Sequence, residues 1–336
     1  MRKKAMLWEK LEADAVHCYL CSHHCKIKAD EFGFCGMREN KGGELVTYAY
    51  GRVIANHIDP IEKKPLYHFL PASYAYSIAT IGCNFRCPFC QNWTISQLSA
   101  KSGDMEGIEL SPEEIVREAL AGGCKSISYT YTEPTIFYEY AYDTAKLARE
   151  KNLANTFVTN GFMTKEAIDG IKPYLDAANV DLKFFSDDSY KKICKGRLQP
   201  VLDSIRYMKD CGIWVEVTTL IVPGENDSPG ELKGMADFLV SVDSQIPWHI
   251  SRFHPDYKYT DSYPTPIETM ERAAQIGKDA GLKYVYMGNI YSRGETVCPS
   301  CGKVLIERGG FRANLSEDFL EGGVCRSCGV KIAGVW

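Results

Sequence analysis

Cys83, Cys87 and Cys90 stand in one short stretch, Ile81-Gly82-Cys83-Asn84-Phe85-Arg86-Cys87-Pro88-Phe89-Cys90-Gln91-Asn92, at the spacing C-x3-C-x2-C. Thiolates are the soft ligands that hold iron–sulfur clusters, and a cubane of four irons normally takes four of them. No fourth cysteine follows close behind. Three ligands leave one iron with an open coordination position, where a cofactor or substrate can bind. An open position is also what separates catalytic from structural zinc sites. A zinc knuckle or a loop of free thiols is the plainer reading of this triplet, and its surroundings in the sequence weigh against both.

Eight of the remaining cysteines fall into two further groups. The 336 residues contain 14 cysteines. The first residues are charged and are followed by Leu7-Trp8-Glu9-Lys10-Leu11-Glu12 instead of an apolar run, so no signal peptide is expected. A cysteine-rich chain without that signal is expected in the cytoplasm, with its thiols committed to metal and not to disulfides. Cys18-Tyr19-Leu20-Cys21-Ser22-His23-His24-Cys25, with Cys35 further on, offers four thiolates at uneven spacing. These fit zinc or an iron–sulfur cluster, and His23 or His24 could replace one cysteine. Cys298-Pro299-Ser300-Cys301 and Cys325-Arg326-Ser327-Cys328 form two knuckles around a short insert, which looks like a zinc ribbon; an auxiliary cluster is the alternative. A small end segment needs such a staple to fold. Cys124, Cys194 and Cys211 stand alone and read as small buried apolar side chains. A net charge of -4 gives no electrostatic reason to expect a nucleic-acid or membrane partner, and no stretch is long enough to span a bilayer.

The elements that must position these residues alternate between strand-like and helix-like. A strand over 74–81 ends at the cysteine loop. Ser111-Pro112-Glu113-Glu114 then opens a helix with a serine N-cap, a proline at the first helical position and a capping-box glutamate, and Gly122-Gly123 closes it. Strands follow near 126–132, 156–159, 180–183, 215–222, 250–253 and 284–286, with helical patterns between them, such as 200–211, 229–242 and 266–280. Alternation of this kind implies parallel strands joined by right-handed crossovers, with functional residues gathered at the C-terminal ends of the strands.

The triplet, with an aromatic residue (Phe89) just before its last cysteine, resembles the cluster motif of the radical S-adenosylmethionine (SAM) superfamily. That resemblance implies an α/β fold, a partial (β/α)6-type TIM barrel, here with a small cysteine-rich N-terminal appendage (1–72), a barrel (73–292) and a zinc-ribbon-like C-terminal appendage (293–336). It implies a four-iron four-sulfur cluster on Cys83, Cys87 and Cys90, with SAM chelating the open iron and yielding a 5'-deoxyadenosyl radical on reductive cleavage. It also implies SAM-positioning roles at strand ends. Glu133, in Tyr131-Thr132-Glu133-Pro134, matches the family's glycine-glycine-glutamate element with tyrosine and threonine in place of the glycines; an ordinary helix N-terminal acid is the other reading. Thr159, Asn160 and Gly161 resemble the threonine-asparagine-glycine step of glycyl-radical activating enzymes, with Val158 where those enzymes carry aspartate. Asp181 and Lys183 resemble the activases again, and alternation puts them on one side of their strand, as a SAM-site pair or a structural ion pair. Ile221-Val222-Pro223-Gly224 is placed to pack against the adenosine.

Trp248-His249-Ile250-Ser251-Arg252-Phe253-His254-Pro255 is the densest polar and aromatic cluster outside the cysteines. Alternation sets Trp248, Ile250, Arg252 and His254 on one face, so Arg252 and His254 are expected to reach the cavity together, binding an anionic substrate group or shuttling a proton. His254 as a structural strand-end residue is the other reading. Over nearly the whole chain, these stretches together with Ile61-Glu62-Lys63-Lys64-Pro65-Leu66-Tyr67-His68-Phe69 and Tyr286-Met287-Gly288-Asn289 resemble the radical SAM enzyme of the AmmeMemoRadiSam system, a group related to pyruvate formate-lyase activating enzymes. The expected function is a radical SAM enzyme of oxidoreductase type that abstracts hydrogen from a small-molecule or protein substrate, fed by an electron donor such as flavodoxin or ferredoxin. The resemblance implies partners of the Memo and AMMECR1 families. A glycyl-radical activase and, from another class, a non-catalytic metal or redox sensor or a zinc-ribbon binding protein are the alternatives.

Overall fold

The computed structural model describes residues 2–290, 294–320 and 322–336. The expected boundary between 292 and 293 lies outside them. The central element is an eight-stranded sheet, in sequence order β1 (Ala55–Pro60), β2 (Tyr74–Ala79), β3 (Ser126–Tyr129), β4 (Ala154–Thr159), β5 (Ala177–Asp181), β6 (Trp214–Ile221), β7 (Trp248–Arg252) and β8 (Val285–Gly288). Every neighbour in space is a neighbour in sequence. From β2 onward all pairings are parallel; β1, which sequence patterning did not suggest, pairs antiparallel with β2 as an edge.

Each parallel pair is connected through a helix: α1 (Pro112–Ala121), α2 (Tyr138–Glu150), α3 (Lys165–Ile171), α4 (Leu198–Asp210), α5 (Pro229–Val242) and α6 (Ile267–Ala280). Local signals start them where the sequence says. Ser111 and Glu114 close a reciprocal capping box around Pro112, and Ser228 and Thr164 cap α5 and α3. One face of the sheet packs on these helices. A side chain at Gly277 of α6 would come within 2.9 Å of the Trp248 ring, so Trp248 points outward, where its Nε1 donates to Thr219. The opposite, inner face carries Glu216, Thr218 and His249.

The N-terminal segment adds small hairpins, one pairing Val16–Cys18 with Cys25–Ile27. Its Val16, Leu20, Ile27, Met37 and Leu45 belong to the same continuous apolar core as the sheet and helices. The C-terminal segment builds its own core from Leu305, Ile306, Phe319 and Ile332, against Tyr284 and Tyr286 at the last strand. Among the described residues no helix is long and apolar enough to cross a membrane.

A buried polar knot joins the segments at the floor of the sheet. Glu216 accepts the backbone N–H groups of Tyr67 and His68, at 3.0 and 2.7 Å, the indole N–H of Trp214, and the His249 ring at 2.6 Å. The His68 ring in turn lies 2.7 Å from the Ala333 carbonyl and 2.6 Å from the Tyr286 hydroxyl. Those two contacts suit a neutral imidazole, donating from Nδ1 and accepting at Nε2. Burial pushes the His68 imidazolium down to about 4, against the pull of Glu216. The unfolded chain protonates this ring near pH 6.5, so between that value and about 4 the unfolded state binds the extra proton and stability falls with falling pH. Urea unfolding followed by tryptophan fluorescence is expected to lose about 2 kcal/mol from this residue between pH 7 and pH 5. His68→Gln should flatten that slope; an unchanged slope would assign the acid sensitivity elsewhere.

Candidate active site

A cavity of about 510 Å³ opens where the C-terminal ends of β3 to β8 meet the loop that follows β2. That volume is in the range of sites for small molecules and cofactors. The loop contributes Cys83, Cys87 and Cys90; the strand ends contribute Glu133, Thr159, Asn160, Asp181 and Lys183. All of these are the residues expected from sequence to share a site. Gly161 does not line the cavity. It makes the turn behind Asn160 at φ +69°, where an added Cβ would lie 2.7 Å from Val180. Val158 does line the cavity, and its side chain offers no oxygen to a cation.

Glu133 is buried, and burial raises its carboxyl while four protein donors oppose that shift. Its Oε1 accepts from the Thr135 N–H at 3.0 Å, the Thr135 hydroxyl and the Thr159 hydroxyl at 2.7 Å. Its Oε2 accepts from the Asn160 N–H alone, at 2.8 Å. Glu133 therefore caps the turn that starts at Pro134, as the plainer reading has it, and still keeps acceptor capacity on Oε2. Asn160 continues the chain of bonds: its side-chain amide donates to Asn84 Oδ1 at 2.7 Å and approaches the Cys83 sulfur at 3.8 Å.

Among the described residues, the Cys83, Cys87 and Cys90 sulfurs do not converge as a set that could share a single ion. The buried Asn84 amide N–H beside Cys83 has no partner. Wide sulfur spacing and an orphaned donor fit a multi-iron core with acceptor sulfides better than one zinc ion. Behind the loop, Cys194 ends a π-turn at Tyr190–Cys194; its sulfur is 3.4 Å from Cys87 and its carbonyl accepts the Arg86 N–H. Cys194 is buried, as a lone cysteine is expected to be, but it is packed on a ligand of the site. Nothing in its spacing could have said so. It does not line the cavity, so the open side of the triplet stays free of a fourth thiolate.

Asp181 and Lys183 meet as the alternation predicts, Nζ to Oδ2 at 2.8 Å. Burial works against the Lys183 ammonium, but the charge of Asp181 beside it leads the interactions that outweigh burial and keep the side chain charged. The backbone N–H of Lys183 bonds Tyr190 and its carbonyl accepts from Asn226, which fixes the chain beyond the strand end.

Two expectations about which side chains enter the cavity are corrected. Arg252 and His254 lie off it: Arg252 Nε donates to the Thr265 carbonyl at 2.7 Å, and His254 is exposed. Ser251, on the other face of β7, lines the cavity instead. The alternation was right and the choice of face was inverted, because Trp248 fills the layer under α6. Likewise Ile221 and Val222 are buried in the core, and Leu220 and Thr218 face the cavity. In-register pairing puts Thr218 beside His249 and Leu220 beside Ser251, so one face follows from the other.

A wall not read from sequence comes from Lys63, Lys64 and Tyr131, which gather on Asp59. Both ammonium groups bond Asp59, at 2.8 and 2.6 Å, and the Tyr131 hydroxyl donates to the same carboxylate. Burial pushes Lys64 down to about 8, against the pull of Asp59, and its Nζ lies 4.3 Å from the centre of the Tyr131 ring. Tyr131 itself sits at φ +61°. The backbone thus keeps a glycine-like conformation at the position where the family's element carries glycine, and the side-chain contacts hold a tyrosine there. The Asn92 amide donates to its carbonyl, tying it to the cysteine loop.

The model of the radical SAM superfamily matches residues 77–239, the stretch that carries the cysteine loop and strand ends from β2 through α5. An uncharacterized protein of Methanocaldococcus jannaschii is 48% identical over 333 residues, 98% of each chain. The pyruvate formate-lyase-activating enzyme of Clostridium pasteurianum is 23% identical over 221 residues, 60% of this chain and 87% of that one. The chain belongs to the radical SAM superfamily. It is a radical SAM enzyme, and the family implies a four-iron four-sulfur cluster and SAM at the site just described. Its mixed, mostly parallel sheet is typical of the radical SAM partial barrel. SuiB of Streptococcus suis bound to SAM shares that fold, with a TM-score of 0.51 at 13% identity over 69% of this chain and 53% of that one.

The left-handed backbone at Tyr131 makes an ordered prediction. Tyr131→Phe removes one hydrogen bond to a charged carboxylate and should destabilise by about 1.5–3 kcal/mol. Tyr131→Ala keeps the φ cost without the anchoring contacts, whereas Tyr131→Gly removes that cost of about 1 kcal/mol. Denaturant melts should therefore rank glycine above alanine; the reverse order would contradict the conformation.

Proposed function

We propose that the cavity binds SAM between the cysteine loop and the strand ends, and that the enzyme abstracts hydrogen from a substrate entering beside Ser251 and Asn289. The observation that carries this reading is the chain of bonds from Glu133 through Thr159, Asn160 and Asn84 to Cys83, which couples a cofactor-binding carboxylate to a cluster ligand. When bound, the cluster with SAM supplies a carbon-centred radical oxidant. Cys83, Cys87 and Cys90 would hold the cluster. Glu133 Oε2 accepts from an ammonium group, Asn160 orients the loop, and the Asp181–Lys183 pair presents one anionic and one cationic group to the ribose and carboxylate ends of a ligand. The apolar Leu220 and Val158 walls exclude water from its body.

Within the superfamily, the matched stretches support a member of the AmmeMemoRadiSam system, with Memo-family and AMMECR1-family partners and a flavodoxin- or ferredoxin-type donor. A glycyl-radical activase is the second reading, favoured by the likeness to activating enzymes. At the C-terminus, Cys298 and Cys328 lie 3.6 Å apart, as do Cys301 and Cys325, and all four sulfurs fall within 4.8 Å of one another. A tetrahedral zinc with bonds of about 2.3 Å sets its sulfurs about 3.8 Å apart, so we assign a structural zinc here.

Anaerobically reconstituted protein with reductant and SAM should release 5'-deoxyadenosine and methionine, and Cys87→Ala should abolish both. Glu133→Gln and Asp181→Asn should weaken the change that SAM makes in the reduced-cluster spectrum by tenfold or more in SAM concentration, leaving iron content intact. A wild-type cluster blind to SAM would sink the reading, and a glycine-centred radical on a co-purified protein would favour the activase. Metal analysis of Cys301→Ser/Cys328→Ser should show zinc lost from this end.

A further inference from the structure

The four cysteines near the N-terminus are not used by the site above. Cys18 and Cys25 face each other across a hairpin, Cys21 bridges to Met163, and Cys35 returns from the following loop. All four line one small cavity with Leu20, Ile27 and Ile136, within the apolar core. The shape of the sulfur set separates it from the C-terminal one. Among the described residues, no three of these sulfurs lie within 4.8 Å of one another, whereas the four at the C-terminus all do. One tetrahedral ion needs the close set, with sulfurs about 3.8 Å apart. A cubane interposes its own iron and sulfide atoms and needs the open set, which the Cys83, Cys87 and Cys90 loop also shows.

A second observation points into the same cavity. Arg38, only 2% exposed, lines it; its Nη1 lies 3.5 Å from the Cys18 sulfur, and its Nε has no partner. Its charge is paired with the buried Glu139, so what it adds to the cavity is a spare N–H beside four cysteines, which suits a core with acceptor sulfides. Of the neighbouring histidines, His23 also lines the cavity, but four thiolates already complete a ligand set there. His23 Nε2 is bonded to the Asn84 carbonyl at 2.8 Å with its ring against Phe34 and Phe162, and His24 is paired with His17 outside the cavity.

We propose that Cys18, Cys21, Cys25 and Cys35 ligate a second, fully coordinated iron–sulfur cluster of the four-iron type, not zinc. It backs directly on the active site. Thr135 lines its cavity and donates to Glu133, and His23 holds the carbonyl of Asn84 in the Cys83 loop. The inference rests on the radical SAM reading only for the comparison with the Cys83 set.

The test removes the first cluster and leaves the N-terminal cysteines untouched. Cys83→Ala/Cys87→Ala/Cys90→Ala, reconstituted anaerobically with iron and sulfide, should retain about four irons and four acid-labile sulfides per chain, against about eight of each in the wild type. A triple variant that carries no iron and sulfide, with or without an added zinc, overturns the proposal. Cys18→Ser/Cys21→Ser in the otherwise natural chain should bring the wild-type iron down by half while the SAM-dependent spectral change persists. If instead the triple variant keeps its four irons but the wild-type cluster ignores SAM, the radical SAM reading of the first site fails and this assignment stands.

Discussion

The buried Glu133 carboxylate is the interaction on which the active site depends. A carboxylate taken out of water costs several kcal/mol unless its lone pairs are met. Here donors come from the turn after β3 and from the end of β4, so one charge holds two strand ends together. Asn160 then passes the constraint to Asn84, and so to the cysteine loop. Three loops that would otherwise move independently are tied to one anion. Loops of low stability are the usual price of binding sites, and this network shows how a strand-end site can be kept rigid.

Sulfur spacing acts as a ruler across the chain. Identical side chains occur in groups of four, three and four, and their chemistry differs through separation and surroundings. The C-terminal set converges on a point near the surface, with Cys301 and Cys328 exposed, as befits a staple for a segment that builds its own small core. The other two sets are spread, buried against apolar side chains and placed back to back. Burial raises the thiols of Cys21 and Cys83 well above their ordinary range, so in the absence of metal these pockets favour neutral thiols, and metal binding must release their protons.

How much of this was legible follows from which signals are local. Capping residues and apolar periodicity are local, and Ser111, Pro112 and Pro229 start helices where they stand. Cysteine spacing is local too, so the three cysteine groups could be named. The choice of sheet face is not local. Arg252 and Ser251 alternate correctly in any register, and only the packing of Trp248 on α6 decides which of them enters the cavity. Contacts made across the fold were equally hidden. Cys194 reaches Cys87 through a π-turn 107 positions away in the chain, and Asp59 gathers Tyr131 from 72 positions away. Tyrosine stands at 131 where the family element carries glycine. The backbone there is left-handed, and the hydroxyl and ring contacts hold a tyrosine in a conformation that glycine adopts freely.

The floor of the cavity explains why the ends of the chain belong to the working structure. Pro65 lines the cavity, and its carbonyl accepts from Asn179 on the inner face of β5. Directly after it, Tyr67 and His68 are held by Glu216, and the Tyr67 carbonyl accepts from Arg308 of the C-terminal segment. Arg308 is itself buried, stacked 4.2 Å from the centre of the Tyr67 ring, and His68 meets the Ala333 carbonyl. A strand pair in an open sheet cannot seal its own lower end. The segment 65–68 does so here, clamped between Glu216 on one side and the C-terminal segment on the other. The segment that carries Cys298, Cys301, Cys325 and Cys328 therefore supports the active-site floor through Arg308 and Ala333, although none of those sulfurs lines the cavity.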